Sequence, residues 1–101
     1  MTVGLTLGVA APALSQGGAA ASAAIRVFQF QPGALAVRPG TRVTWTNEDG
    51  VPHRVKANDD SFESEDLAQG DTFEHTFDAA GTFDYICAIH PDMTGTITVT
   101  G

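Results

Sequence analysis

The chain has 101 residues, 12 acidic against 5 basic side chains, a net charge of −7 and one cysteine. That length holds one domain at most, and a lone cysteine cannot build an internal disulfide framework. The acidic balance lacks the clustered Lys and Arg that phosphate backbones require, which excludes nucleic acid as a partner and fits a soluble acidic protein or one that docks on a basic partner.

Residues 1–24 carry no charged side chain, and Val3 to Ala11 form an apolar run of the length of a signal-peptide h-region. Small residues follow, with Ala13-Leu14-Ser15 and Ala21-Ser22-Ala23 as candidate cleavage sites. A basic n-region is missing, so residues 1–24 are read as the remnant of an export signal or a flexible tail, and residues 25–101 as the domain. Export would place the protein in the periplasm or outside the cell. The run is far shorter than the roughly 18 residues that span a bilayer, so no transmembrane anchor is expected.

Beyond residue 24 the chain reads as short strands punctuated by turns. Ile25 to Phe30 is rich in strand formers and stops at Gln31-Pro32-Gly33. Ala34 to Val37 follows and ends at Arg38-Pro39-Gly40. Thr41 to Thr46 alternates, with Val43 and Trp45 on one face and Arg42, Thr44 and Thr46 on the other. After the loop residues Asn47-Glu48-Asp49-Gly50, His53 to Ala57 reads as another short strand. The acid-rich segment that follows, with Asp59, Asp60, Glu63, Glu65 and Asp66, is the least ordered part and reads as a solvated loop. Asp71 to Phe77 puts Phe73, His75 and Phe77 on one face, and Thr82 to Cys87 does the same for Phe83, Tyr85 and Cys87. Thr94 to Thr100 is rich in β-branched residues. Turn signals recur about every ten residues and no helical period is sustained, so the fold class is all-β, a sandwich or a barrel. A domain this small buries only about 60 % of its unfolded surface. A metal that binds the folded state alone would add to its stability.

The chemistry concentrates in Cys87-Ala-Ile-His90-Pro-Asp-Met93. A lone cysteine after a strand is commonly a buried, inert thiol. Here an imidazole and a thioether stand three and six residues beyond it, a soft-ligand set suited to copper. Such a set needs one more strong nitrogen ligand. His75 sits among core residues on its strand, whereas His53 lies just after a loop, so His53 is the candidate for the remaining ligand. One thiolate and two imidazoles near a plane, with a weak axial thioether, is the blue-copper arrangement for electron transfer. Soft sulfur suits Cu(I), imidazole tolerates both oxidation states, and a rigid β framework limits rearrangement when an electron arrives.

The segment GTFDYICAIHPDMTGTITV resembles the C-terminal signature of the cupredoxins, the small blue copper proteins, and TWTNEDGVPHRV is similar to the segment that supplies their first histidine. The C-x-x-H-x-x-M gaps match the short ligand loop of amicyanin-like members. The resemblance covers residues 25–101. It implies a Greek-key β-sandwich with Cys87, His90 and Met93 on the loop before the last strand, His53 reaching in from an adjacent loop, and a core filled by Trp45, Phe73, Phe77, Phe83 and Tyr85. It also implies one copper ion as cofactor, a monomer, and a redox partner protein such as a cytochrome or an oxidoreductase.

Two positions depart from the family pattern. Many cupredoxins carry Asn after the first histidine, with a side chain that ties the two ligand loops together; here Arg54 stands there, its backbone N–H still able to reach the Cys87 sulfur and Asn47 the candidate for the missing tie. Asp92, between His90 and Met93, replaces an apolar residue and adds negative charge beside the site.

Three functions compete for this ligand set. An electron carrier would use His90 as its exit edge. An enzyme of the multicopper oxidase or nitrite reductase kind needs further histidines, and the chain has neither an H-x-H motif nor a histidine beside Cys87. A copper storage or handling protein would use the same four ligands, and zinc would occupy them without a redox role. The electron carrier is the reading adopted, and the protein is expected not to be an enzyme.

Overall fold

The computed structural model describes residues 19–101. Eight strands follow in chain order: β1 (Ala20–Arg26), β2 (Gln29–Gln31), β3 (Ala34–Val37), β4 (Thr41–Asn47), β5 (Val55–Ala57), β6 (Thr72–Phe77), β7 (Gly81–Cys87) and β8 (Thr94–Val99). They form two four-stranded sheets, ordered β2-β1-β4-β6 and β3-β8-β7-β5. The two sheets close over one core as a sandwich, with buried residues alternating along β4, β5, β7 and β8 as the period-two pattern requires. The all-β sandwich expected from the sequence is therefore the architecture found.

The first strand differs from its reading in the sequence. It opens at Ala20, ahead of the expected boundary at residue 25, because Ala20 to Ile25 run parallel to Arg42 to Asn47 and bury Ala23 and Ile25. The candidate cleavage site Ala21-Ser22-Ala23 thus lies inside a paired strand, while Ala13-Leu14-Ser15 lies outside the described residues. Nor is Ile25 to Phe30 one strand. Val27 and Phe28 take positive φ of 54° and 57°, and Arg26 faces Gln29 across a two-residue turn, so β1 and β2 form a hairpin. Positive φ at both turn positions belongs to a type I′ turn, which favours Asn and Gly. A β-branched Val there is strained, and something outside the turn must hold it.

Trp45, at the centre of β4 and fully buried, links the two sheets by donating its indole N–H to the Tyr85 hydroxyl of β7 at 3.1 Å. Phe62 and Phe73 stack on the indole, and Phe77 and Tyr85 close around it. Phe73 and Phe83 are only partly buried, whereas Phe62, from the acid-rich segment, is core. That segment is held by bridges from Lys56 to Glu63 and from His53 to Leu67, with Phe62, Ser64 and Leu67 buried. A segment polar by count still anchors through these three side chains, which its composition conceals. Opposite Tyr85, Gly95 fills a position where only hydrogen fits, since a Cβ there would meet the phenol ring, with Cε1 at 2.8 Å. Among the described residues no helix is long and apolar enough to cross a membrane.

Candidate metal centre

The C-x-x-H-x-x-M spacing becomes geometry through two consecutive turns. The His90 N–H donates to the Cys87 carbonyl at 3.1 Å, and the Met93 N–H donates to the His90 carbonyl at 2.9 Å. The Cys87 N–H closes the loop on the Met93 carbonyl at 3.1 Å. Each candidate ligand thus stands at a corner of a doubly turned loop whose ends are fixed by β7 and β8, and Pro91 starts the second turn. Cys87 and Met93 are buried, and His90 is half-buried.

His53 arrives from the other side. It is fully buried and exchanges both backbone hydrogen bonds with Leu67, at 3.1 and 2.7 Å. Its Nδ1 lies 3.6 Å from Cys87 Sγ, and His90 Nδ1 lies 3.7 Å from the same sulfur. The donor atoms of His53, Cys87 and His90 all lie within 4.8 Å of one another. A first-row ion bound ~2.3 Å from sulfur and ~2.0 Å from nitrogen, at an angle of ~120°, separates the two donors by ~3.7 Å. The spacing therefore fits one shared ion in a trigonal arrangement, and the thiolate with a neighbouring thioether suits copper. Of the histidines, His75 is not part of the group. It packs on β6 against Phe62 and Phe77, where burial pushes its pKa down against the opposing pull of Asp78.

The surroundings of the ligands are specific. The Arg54 backbone N–H points at Cys87 Sγ at 3.4 Å, and the Arg54 carbonyl accepts from Ala88 N–H at 2.9 Å. This backbone pair, continuing the β5–β7 ladder, ties the two ligand loops. Asn47 does a different job from the one expected of it. Its side-chain amide donates to the carbonyls of Val51 and Leu67, and its oxygen accepts from Asp49 N–H, which fixes the approach to His53 rather than the Cys87 loop. The Arg54 guanidinium reaches away to Asp66 at 2.9 Å and Glu63 at 3.2 Å, so part of the acidic segment is neutralised against the site.

Two residues that sequence reasoning passed over complete the site. Asp49 Oδ2 accepts from His53 Nε2 at 2.9 Å, which leaves Nδ1 with its lone pair toward the sulfur. The same carboxylate accepts the N–H groups of Val27 at 2.7 Å and Phe28 at 2.9 Å. Burial pushes the Asp49 carboxyl up, but these three hydrogen bonds outweigh it and hold its pKa below the usual range. Phe28 stands edge-on to both imidazoles, its ring centroid 5.3 Å from His53 and 5.1 Å from His90. No sequence signal singles out either residue, since Asp49 reads as ordinary loop chemistry and Phe28 as one more strand aromatic.

Comparison with known proteins agrees with this geometry. The sequence profile of copper binding proteins of the plastocyanin/azurin family matches residues 18–100. Amicyanin-alpha of Methylorubrum extorquens is 35% identical over 80 residues, covering 74% of this chain and 67% of that protein. Plastocyanin of Scenedesmus fuscus is 36% identical over 83 residues, covering 69% of this chain and 85% of that protein. The solved structure of a purple cupredoxin from Nitrosopumilus maritimus superposes with a TM-score of 0.76 at 35% identity, covering 79% of this chain and 99% of the other.

Proposed function

Since the chain belongs to the plastocyanin/azurin family of copper-binding proteins, we propose that it carries single electrons on one copper ion that His53, Cys87, His90 and Met93 would hold. The observation that carries this reading is the placement of two imidazole nitrogens 3.6 and 3.7 Å from one buried sulfur. Bound copper supplies a one-electron couple between Cu(II) and Cu(I). The chain's own contribution is rigidity: the doubly turned loop, the Arg54 backbone pair and the Leu67 bridge hold the donors in one arrangement for both oxidation states. The Arg54 N–H also stabilises negative charge on the Cys87 sulfur.

His90 is the only one of the four that is not buried, so its ring edge is the exit for the electron. Phe28, edge-on to its ring, and Ile89, its neighbour in the chain, are exposed apolar side chains, which support brief docking of a redox partner, a cytochrome or an oxidoreductase. The protein acts as a monomer in the periplasm or outside the cell, a placement supported by the uncharged, apolar stretch at residues 1–18.

The test is to add Cu(II) to the metal-free protein and record the visible spectrum. An intense thiolate-to-copper band, absent in Cys87→Ser and surviving repeated reduction and reoxidation without loss of metal, supports the reading. A colourless protein refutes it, and loss of copper to a competing chelator during cycling favours copper storage or handling instead.

A further inference from the structure

The β1–β2 turn holds two non-glycine residues at positive φ, one of them β-branched, and nothing inside the turn compensates for that conformation. The compensation comes from Asp49, whose two carboxylate oxygens accept both turn N–H groups. Asp49 Oδ2 also carries the hydrogen bond from His53 Nε2. The carboxylate is only 13% exposed, and a charge so placed persists because every partner is a hydrogen-bond donor. The turn it holds is the one that sets Phe28 edge-on to His53 and His90.

We propose that Asp49 is a positioning residue that couples the metal centre to its cover: one carboxylate orients the His53 imidazole through Nε2 and, through the Val27 and Phe28 amides, holds the Phe28 ring over both histidines. This rests on the ligand reading above and adds a role to a residue outside the ligand set. Two consequences follow from elementary electrostatics. A carboxylate hydrogen-bonded to a ligating imidazole makes it the stronger donor and favours the more highly charged ion, so it lowers the reduction potential. A pinned turn shields the face of the site between the two rings, so that releasing it admits small ligands.

The experiment compares wild type, Asp49→Asn and Phe28→Ala with copper and with zinc. Asp49→Asn keeps an acceptor and removes the charge. It is expected to raise the reduction potential, to weaken Cu(II) and Zn(II) binding about 10- to 100-fold by competition, and to speed hydrogen exchange at the Val27 and Phe28 amides. Phe28→Ala is expected to admit azide, seen as a new absorption band, with metal affinity near that of wild type. Unchanged potential, affinity and amide exchange in Asp49→Asn would overturn the proposal, as would an azide response no greater in Phe28→Ala than in wild type. Should Asp49→Asn fail to fold, the wild type still decides: slow exchange at the Val27 and Phe28 amides in the metal-free protein is required, although both residues are exposed, and rapid exchange there overturns the pin. Failure of wild type to bind copper would strike the function proposed above, whereas the zinc affinities and the metal-free exchange rates still read Asp49.

Discussion

Arg54 N–H points at Cys87 Sγ at 3.4 Å while the Arg54 carbonyl accepts from Ala88 N–H at 2.9 Å. The residue that departs from the family pattern therefore fulfils the tie through its backbone, which any side chain but proline supplies. Its guanidinium only gathers Asp66 and Glu63.

From that division of labour, Arg54→Ala should leave the copper spectrum in place. Stability should fall only slightly, because both ion pairs lie in solvent, and by less at high salt. Denaturant midpoints at low and high salt, with the visible spectrum recorded beside them, check both halves. Arg54→Pro, which removes the N–H toward the sulfur, should disturb the spectrum.

Asp92 lies exposed between His90 and Met93 in the ligand loop. Its negative charge favours Cu(II), so Asp92→Ala should raise the reduction potential. Because the carboxylate is in water, that rise should shrink as ionic strength increases. Voltammetry across a salt series reads the effect; an unchanged or lowered potential would sink the idea.

Gly95→Ala should destabilise the fold by about 1–3 kcal/mol, the usual cost of overpacking a filled core. The Tyr85 ring that the new methyl would strike cannot swing aside freely, because its hydroxyl accepts from Trp45 and Phe30 packs against it. Equilibrium unfolding of the metal-free variant measures the loss.

His75 gives the protein a mild acid sensitivity. Its folded-state pKa is depressed by burial, so between that value and the unfolded value near ~6.5 the unfolded chain binds more protons. The contribution is fully present above about pH 6.5 and is lost as pH falls through that window. Stability of the metal-loaded protein should therefore decline from pH 7.5 toward pH 5, and His75→Gln should flatten part of the slope. An identical slope in the variant would place the sensitivity elsewhere.

Removing the metal should lower the melting temperature substantially. At free copper about 1,000 times Kd, binding adds about 4 kcal/mol to stability, which for a domain of this size corresponds to roughly 15–30 °C. Calorimetry of the metal-free and copper-loaded forms reads the difference directly.

The all-β class, the strand runs of β3, β4, β6, β7 and β8, and the candidate set of a thiol, two imidazoles and a thioether are legible in the residue order alone. Those features are local: alternation with period two sets which side chains face the core, and ligands three residues apart fall on successive turn corners. Choosing His53 over His75 also needed only local context, since an imidazole between two core aromatics on one strand packs with them. What acts across distance emerges only in the folded chain. The parallel pairing of Ala20 to Ile25 with Arg42 to Asn47 drew the first strand back into an alanine-rich stretch with no strand signature. Asp49, more than twenty residues from the turn it holds, stabilised positive φ at Val27 and Phe28, and so broke a run that propensity alone reads as one strand. Local preference is worth tenths of a kcal/mol per residue, whereas a hydrogen bond to a charged carboxylate is worth about 1.5–3 kcal/mol. That difference is why the turn, and with it the cover over the two histidines, could be found only in the folded chain.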